Sequence, residues 1–263
     1  MPDQTSPFDL LALRGKQVLV TGAAGGIGRA LAATFQAAGA FVTGADRRAD
    51  ALAEVDLGRR IVLDIADRAA VAASLAELQA EAGTPDILVN NAGFTRGETL
   101  DQVDDDVWDS ELAINLTGAY AVTTPILEAM RQRGSGSIVF IASVNGLAHF
   151  GNPAYSAAKA GLIAYARGIA VERGRDGIRS NVVCPGSVRT PAWDHRFART
   201  PDLLEKVLPH YPLGRMVTPA DVAQTVLFLA SPLASGITGA IIPVDAGLTA
   251  GNSVFVNSVI GAP

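Results

Sequence analysis

Short apolar runs alternate with longer stretches of good helix formers along nearly the whole chain, and no other feature restricts the fold so strongly. The runs are Val18-Leu19-Val20, Phe41-Val42-Thr43, Ile61-Val62-Leu63, Ile87-Leu88-Val89, Ile138-Val139-Phe140-Ile141, and residues 178–183 and 241–244. They are short, rich in β-branched residues and mostly bounded by Gly, Asn, Asp or Pro, so each reads as a buried strand. Strands apolar on both faces belong to a parallel sheet covered by helices on both sides. The alternation therefore predicts an α/β fold: a right-handed, Rossmann-like, doubly wound parallel sheet of about seven strands in a three-layer αβα sandwich.

The expected helices carry their own stop and start signals. Residues 29–38 end at Gly39, 67–82 at Gly83 and 155–173 at Gly174, while Thr218-Pro219 supplies a cap and a first-turn proline to 220–230. Residues 104–133 are long enough for one helix or a bent one. Two segments break the rhythm. Residues 47–60 read as one poor helix, and an insertion at about 187–212, with Trp193, His195 and Phe197, is expected to form a substrate lid. No repeat or linker divides the chain, so residues 1–263 read as a single dinucleotide-binding and catalytic domain with a tail at 249–263.

Composition narrows the function classes. The net charge is −5 with no basic block, which argues against a nucleic-acid surface. Cys184 is the single cysteine, so no intrachain disulfide forms and a reducing compartment is expected. Its place in Val182-Val183-Cys184 predicts a buried strand end, not a catalytic thiol. The opening MPDQTSPFDL lacks the basic start and apolar region of a signal peptide, and no run is apolar enough to span a membrane. A cytoplasmic protein acting on a small molecule is expected.

Thr21-Gly22-Ala23-Ala24-Gly25-Gly26-Ile27-Gly28 follows the first strand directly and opens the first helix. Glycines at this corner let the backbone approach a pyrophosphate, and the helix N-terminus offers free N–H groups and a positive dipole end. Asp46 stands at the end of the second strand. A carboxylate there accepts both ribose hydroxyls of NAD and repels the 2′-phosphate of NADP. Arg47-Arg48 follows at once and could attract that phosphate instead, so NAD is favoured over NADP without excluding it.

Tyr155 and Lys159 stand four residues apart near the start of a helical stretch, on one face. An ammonium beside a phenol favours phenolate, so Tyr155 is expected to be acidified toward the working range of a general acid–base. Ser143, just after its strand, can hydrogen-bond a substrate oxygen from the carboxyl edge of the sheet.

With these residues in this order, the chain resembles the short-chain dehydrogenase/reductase family from about Leu13 to Leu248. The resemblance is carried by TGAAGGIG (21–28), Asp64-Ile65, Asn90-Asn91-Ala92-Gly93, Asn115 in INLTG, Ser143 in IASVNG, YSAAK (155–159), Pro185-Gly186 and Val244-Asp245-Ala246-Gly247. It implies that Tyr155 is the general acid–base, that Lys159 lowers its pKa and binds the nicotinamide ribose, and that Ser143 anchors the substrate oxygen. It further implies that Asn115 holds a water in a proton relay behind the lysine. Gly22, Gly26, Ile27, Gly28, Asp46, Asp64, Ile65 and Asn91 would then hold the adenosine and pyrophosphate half, with Pro185, Gly186, Val188 and Thr190 over the nicotinamide. Ala246 departs from the pattern, since many relatives have a second glycine there. Family members are generally tetrameric or dimeric, so a homo-oligomer is expected, and the tail is expected to cross a subunit boundary or to lack order.

The resulting expectation is an NAD(H)-dependent oxidoreductase acting on CH–OH groups, interconverting a secondary alcohol and a ketone. Candidate pocket residues are Phe94, Arg96, Asn145, His149, Asn152, Arg189, Trp193 and His195. Their polarity suits a polyol, sugar, sugar acid or hydroxy acid, with Arg96 or Arg189 pairing a carboxylate. His149 and His195 lack a third ligand, so no metal is expected. Two alternatives stay open: an NADP-dependent 3-oxoacyl-carrier reductase, and a non-catalytic dinucleotide-binding sensor.

Overall fold

The computed structural model describes residues 11–261; the N-terminal decapeptide and the last two residues of the tail lie outside the described residues. Strands β1 (Gln17–Thr21), β2 (Phe41–Asp46), β3 (Arg59–Val62), β4 (Ile87–Asn90), β5 (Gly136–Ile141), β6 (Ile178–Pro185) and β7 (Ile241–Val244) form one sheet in the order β3-β2-β1-β4-β5-β6-β7. Every pairing is parallel. The helices are α1 (Gly26–Ala37), α2 (Ala49–Ala53), α3 (Arg68–Ala82), α4 (Asp105–Leu112), α5 (Ala119–Arg133), α6 (Pro153–Arg173), α7 (Pro191–Arg199), α8 (Leu203–Val207), α9 (Pro219–Ala230) and α10 (Ser253–Phe255).

Side chains leave the sheet with a period of two, and the core divides accordingly. Val18, Val20, Val89, Val139 and Val183 pack with Phe35 of α1, Leu52 of α2 and Val226 of α9. Leu19, Leu88, Ile138, Phe140 and Cys184 pack on the opposite face with Leu75 of α3, Ile126 of α5 and Leu162 of α6. The doubly wound sandwich is thus as expected, and Cys184 is a buried strand-end residue.

The edge strands are the exception to full burial. β3 alternates half-buried and exposed positions, with Val62 60% exposed, and β7 is only half-buried. An edge strand lacks a neighbour and part of its helical cover, so its apolar run does not become a two-sided core strand. β3 also begins two residues before the expected run, at Arg59.

Gly83 ends α3 as expected, whereas Gly174 stays right-handed and the left-handed residue comes at Gly177, after a 3-10 turn over Gly174–Asp176. Asp67 accepts from Ala69 N and Ala70 N at the start of α3. Thr218 and Asp221 form a reciprocal capping box ahead of Pro219 in α9. Residues 104–133 are neither one regular helix nor two: α4 passes into a π-helical turn, Ala113–Gly118, before α5. The insertion forms α7 and α8, and the tail forms α10 followed by a π-helical turn, Val256–Ile260. Ala246 sits at φ 52°, the left-handed region that a glycine adopts more easily. Among the described residues no helix is long and apolar enough to cross a membrane.

Candidate active site

The strand order reverses between β1 and β4, and a cleft of about 390 Å³ opens there at the carboxyl edge. Gly22, Gly25, Gly26, Ile27 and Gly28 line it, as do Asp46, Asp64, Ile65, Asn91 and Thr190. Gly22 has φ 66°, and a Cβ there would stand 2.8 Å from Ala92 Cα, so only glycine lets β1 turn against β4. Asn91 fastens the same corner: its Nδ2 donates to the carbonyls of Thr21 (3.0 Å) and Gly22 (3.1 Å). At the start of α1, Gly25 is the cap and offers no side chain to the first-turn N–H groups. Uncapped donors at a glycine-lined helix start fit a pyrophosphate.

Asp46 closes the other end of this half of the cleft. Its Oδ2 accepts from Ala24 N (3.0 Å), and its Oδ1 from Arg48 N (3.0 Å) and Arg48 Nε (3.1 Å). Burial alone would raise its pKa, but the Arg48 and Ala24 hydrogen bonds outweigh that and hold the carboxyl below its usual range. An ionised carboxylate therefore lines the cleft. The glycine corner, the helix start and Asp46 together fit a dinucleotide.

Gly93 and Phe94 line the far end of the cleft, and the expected catalytic side chains gather behind them. A Cβ built on Gly93 would stand 2.6 Å from Asn115 Oδ1 and 3.2 Å from Lys159 Nζ, so both polar tips converge on that glycine. Asn115 is 1% exposed; its Nδ2 donates to Phe94 O (2.8 Å) and Glu111 O (2.9 Å), and its Oδ1 accepts from Phe94 N (3.2 Å). The π-helical turn is centred on this residue. Such turns let side chains enter the helical hydrogen-bond ladder, and the Asn115 amide does so at the Glu111 carbonyl.

Lys159 is 3% exposed, donates to Ile141 O (2.9 Å) and stands 5.4 Å from the centre of the Tyr155 ring. The Ser143 hydroxyl accepts from Asn145 N (3.1 Å) and donates to Asn145 Oδ1 (3.2 Å). The expectation that Lys159 acidifies Tyr155 is corrected here. Burial pushes the phenol up to about 12, with Ser143 pulling it back, and pushes the Lys159 ammonium down to about 8. The ammonium lies over the ring while bonding a backbone carbonyl, and the phenol's own burial is the largest cause of its shift.

The remaining expected residues divide. Pro185, Gly186 and Val188 do not line the cleft; Val188 is 7% exposed and belongs to the core, bridged to Val217. Asn145 stands beside Ser143 and also donates to Gly151 O (2.8 Å). Arg96 turns away from the site, donating to Ser110 Oγ (2.7 Å) and Asp106 O (3.1 Å) on α4. Asn152 spends its amide on Thr95 Oγ1 and Gly97 O, both at 3.1 Å. Arg189 pairs with Asp194 (3.3 Å). Trp193 stacks beside Phe197 and under Arg196, which reaches Glu98 (3.4 Å) and so ties α7 to the loop after β4. His149 and His195 are exposed.

Glu111 was not expected. It is fully buried one helical turn before Asn115, and its Oε1 accepts from Thr95 Oγ1, Arg96 N and Gly97 N. Its spacing from Asn115, on the same helix face, is the sequence signal that could have found it.

Known proteins carry the same architecture. A family model described as enoyl-(acyl carrier protein) reductase matches residues 22–249. An uncharacterized oxidoreductase of Schizosaccharomyces pombe is 39% identical over 250 residues, covering 95% of this chain and 96% of its own length. The 3-oxoacyl-[acyl-carrier-protein] reductase of Salmonella typhimurium is 37% identical over 244 residues, covering 90% and 99%. A solved oxidoreductase of the short-chain dehydrogenase/reductase family from Burkholderia thailandensis is 45% identical, with a TM-score of 0.88 over 94% of this chain and 97% of that one. Sheet order, glycine corner and near full-length similarity agree: the chain belongs to the short-chain dehydrogenase/reductase family of oxidoreductases.

Proposed function

We propose that the protein interconverts a secondary alcohol and a ketone of a small polyhydroxylated substrate, using NAD(H). The observation that carries this reading is one cleft lined by both an ionised Asp46 and Gly93, with Asn115, Lys159 and the Ser143–Tyr155 pair behind that glycine. A nicotinamide dinucleotide held there supplies or accepts the hydride. Ser143 and Tyr155 bind the substrate oxygen. In reduction the Tyr155 phenol gives its proton to that oxygen; in oxidation it takes the hydroxyl proton back. Lys159 orients the ribose, and with Asn115 behind it provides the route by which the phenol regains its proton. Thr190, which lines the cleft, would cover the nicotinamide side, and α7 and α8 close over the substrate.

Arg96 and Arg189 are engaged by the protein's own acceptors, which favours neutral members of the class, polyols and sugars, over sugar acids. A second reading, NADPH-dependent reduction of a 3-oxoacyl carrier, draws on Arg47 and Arg48 lining the adenosine end and on the Salmonella relative's name. The two separate in one experiment. Oxidation of polyols, aldoses and hydroxy acids with NAD+ is compared with reduction of their ketones by NADH, and of an acetoacetyl thioester by NADPH. The proposal requires NAD-linked turnover on a hydroxylated substrate, lowered by several orders of magnitude in Tyr155→Phe with NADH affinity kept within about threefold. Retained turnover in that variant sinks the assignment of Tyr155.

A further inference from the structure

Glu111 is 0% exposed, and one of its oxygens, Oε2, has no hydrogen-bond partner among the described residues. Burying a carboxylate with an oxygen left over costs stability, and an apolar residue would fill the same space more cheaply. Such a group calls for an explanation beyond packing. The connections of the other oxygen supply one.

Oε1 accepts from the backbone of Arg96 and Gly97, and so holds the loop that follows Phe94. It also accepts from Thr95 Oγ1 (3.0 Å), and the same hydroxyl accepts from Asn152 Nδ2 (3.1 Å). Asn152 is the residue from which α6 starts, just ahead of Tyr155, and it is held at φ 51° with its N–H donating to Glu98 O (2.9 Å). In the other direction, the Glu111 carbonyl receives the Asn115 amide. A continuous path therefore runs from the start of the tyrosine helix through Asn152, Thr95 and Glu111 to Asn115.

We propose that Glu111 is a positioning residue that locks Asn115 and the Tyr155 end of α6 into one geometry, with Thr95 and Asn152 as the strut between them. The inference rests on the reading of Tyr155 as the proton donor. It also reassigns Asn152 from substrate contact to scaffold. Its charge has a second consequence. The groups acting on the phenol are Ser143 before α6, Lys159 on α6, Cys184 on β6 and Glu111 on α4, and Glu111 is one of those that hold the phenol high.

Two variants test the strut. Thr95→Val keeps the shape and removes the hydroxyl that joins Asn152 to Glu111. Hydrogen–deuterium exchange, which needs no substrate, should then rise together at residues 95–98 and at 153–157 across the break. Reduction by NADH of the fastest ketone in the panel should fall about tenfold in kcat with the KM for NADH unchanged. Glu111→Gln keeps an oxygen for the three donors, so kcat of reduction should stay within about threefold of wild type, while the rise of alcohol oxidation with pH moves to lower pH as a charge that holds the phenol high is lost.

Exchange that rises only at 95–98, with kcat unchanged in Thr95→Val, overturns the inference, and this holds even if Glu111→Gln fails to fold. Tyr155→Phe separates the two layers. If that variant is inactive while Thr95→Val is fully active, the strut fails and the proton donor stands; if it is active, the underlying reading fails first.

Discussion

Burial acts on Tyr155 and Lys159 in opposite senses, because in each case it disfavours the charged form. With the phenol near 12 and the ammonium near 8, both groups hold their protons at neutral pH. On the proposed reading Tyr155 then donates without prior titration, so carbonyl reduction should run level from about pH 6 to 7.5. It should decline as Lys159 loses its charge above about 8. Alcohol oxidation needs the phenol to have lost its proton, a fraction that grows with pH, so its rate should climb through the same range. Initial rates in both directions between pH 6 and 10 check the sign; reduction that strengthens with alkalinity contradicts it. The identities of these residues were legible in YSAAK, but their electrostatics were not. Four-residue spacing shows that an ammonium is near a phenol, not that it lies over the ring face while bonded to Ile141 O. Arg96 and Asn152 were misread for a related reason: a loop side chain goes where its tertiary partners are, here Ser110 and Thr95. Glu111 escaped notice because a carboxylate on a helix ordinarily faces solvent.

Among the elements, the junction of β4 with the π-helical turn carries the most consequence for chemistry. Gly93 stands where Asn115 Oδ1 and Lys159 Nζ approach each other, and an added methyl would meet the first at 2.6 Å. Neither tip can retreat freely. The Asn115 amide is bonded to Phe94 O and Glu111 O, and Lys159 is bonded to Ile141 O. Gly93→Ala should therefore push both groups off their positions and lower kcat by about a hundredfold, the scale expected for an ångström of misplacement. On the proposed reading the adenosine half binds at the Asp46 end of the cleft, so NADH affinity measured by fluorescence should change far less. A variant with unaltered kcat would mean that the two tips do not act together. The break in residues 104–133 could not be read from periodicity, because the apolar pattern continues through it. What creates the π turn is a partner on another element, the Phe94 backbone that takes the Asn115 amide. All seven strands stand at their apolar runs, but the run shows the core of a strand better than its ends: β3 and β5 both begin two residues earlier, and β2 continues three residues further, to Asp46.

For the molecule as a whole, the strand order matters because it puts Asp46, the glycine corner and Gly93 on one edge although they come from β2, β1 and β4. Alternation of strands and helices implied a doubly wound sheet, but the order of strands, and hence the place of the cleft, follows only once pairing is known. A ligand that bridges these strands binds the folded chain and not the unfolded one, so it must raise the melting temperature. At a hundred times its Kd the gain is about 2.7 kcal/mol, which for a domain near this size is about 5–10 °C. NADH and NADPH share every group except the 2′-phosphate, so the difference between their shifts reports on the adenosine end alone. There Arg48 could welcome the phosphate, but it is already engaged by Asp46, whose carboxylate is held ionised by that same pairing and by Ala24 N. Bringing in a phosphate would set two anions side by side and take the arginine from its partner. The larger shift should thus come from NADH, and Asp46→Ala, which frees Arg48, should reverse the order of the two cofactors. Equal shifts in the wild type, with no reversal in the variant, would show that Asp46 does not choose between them.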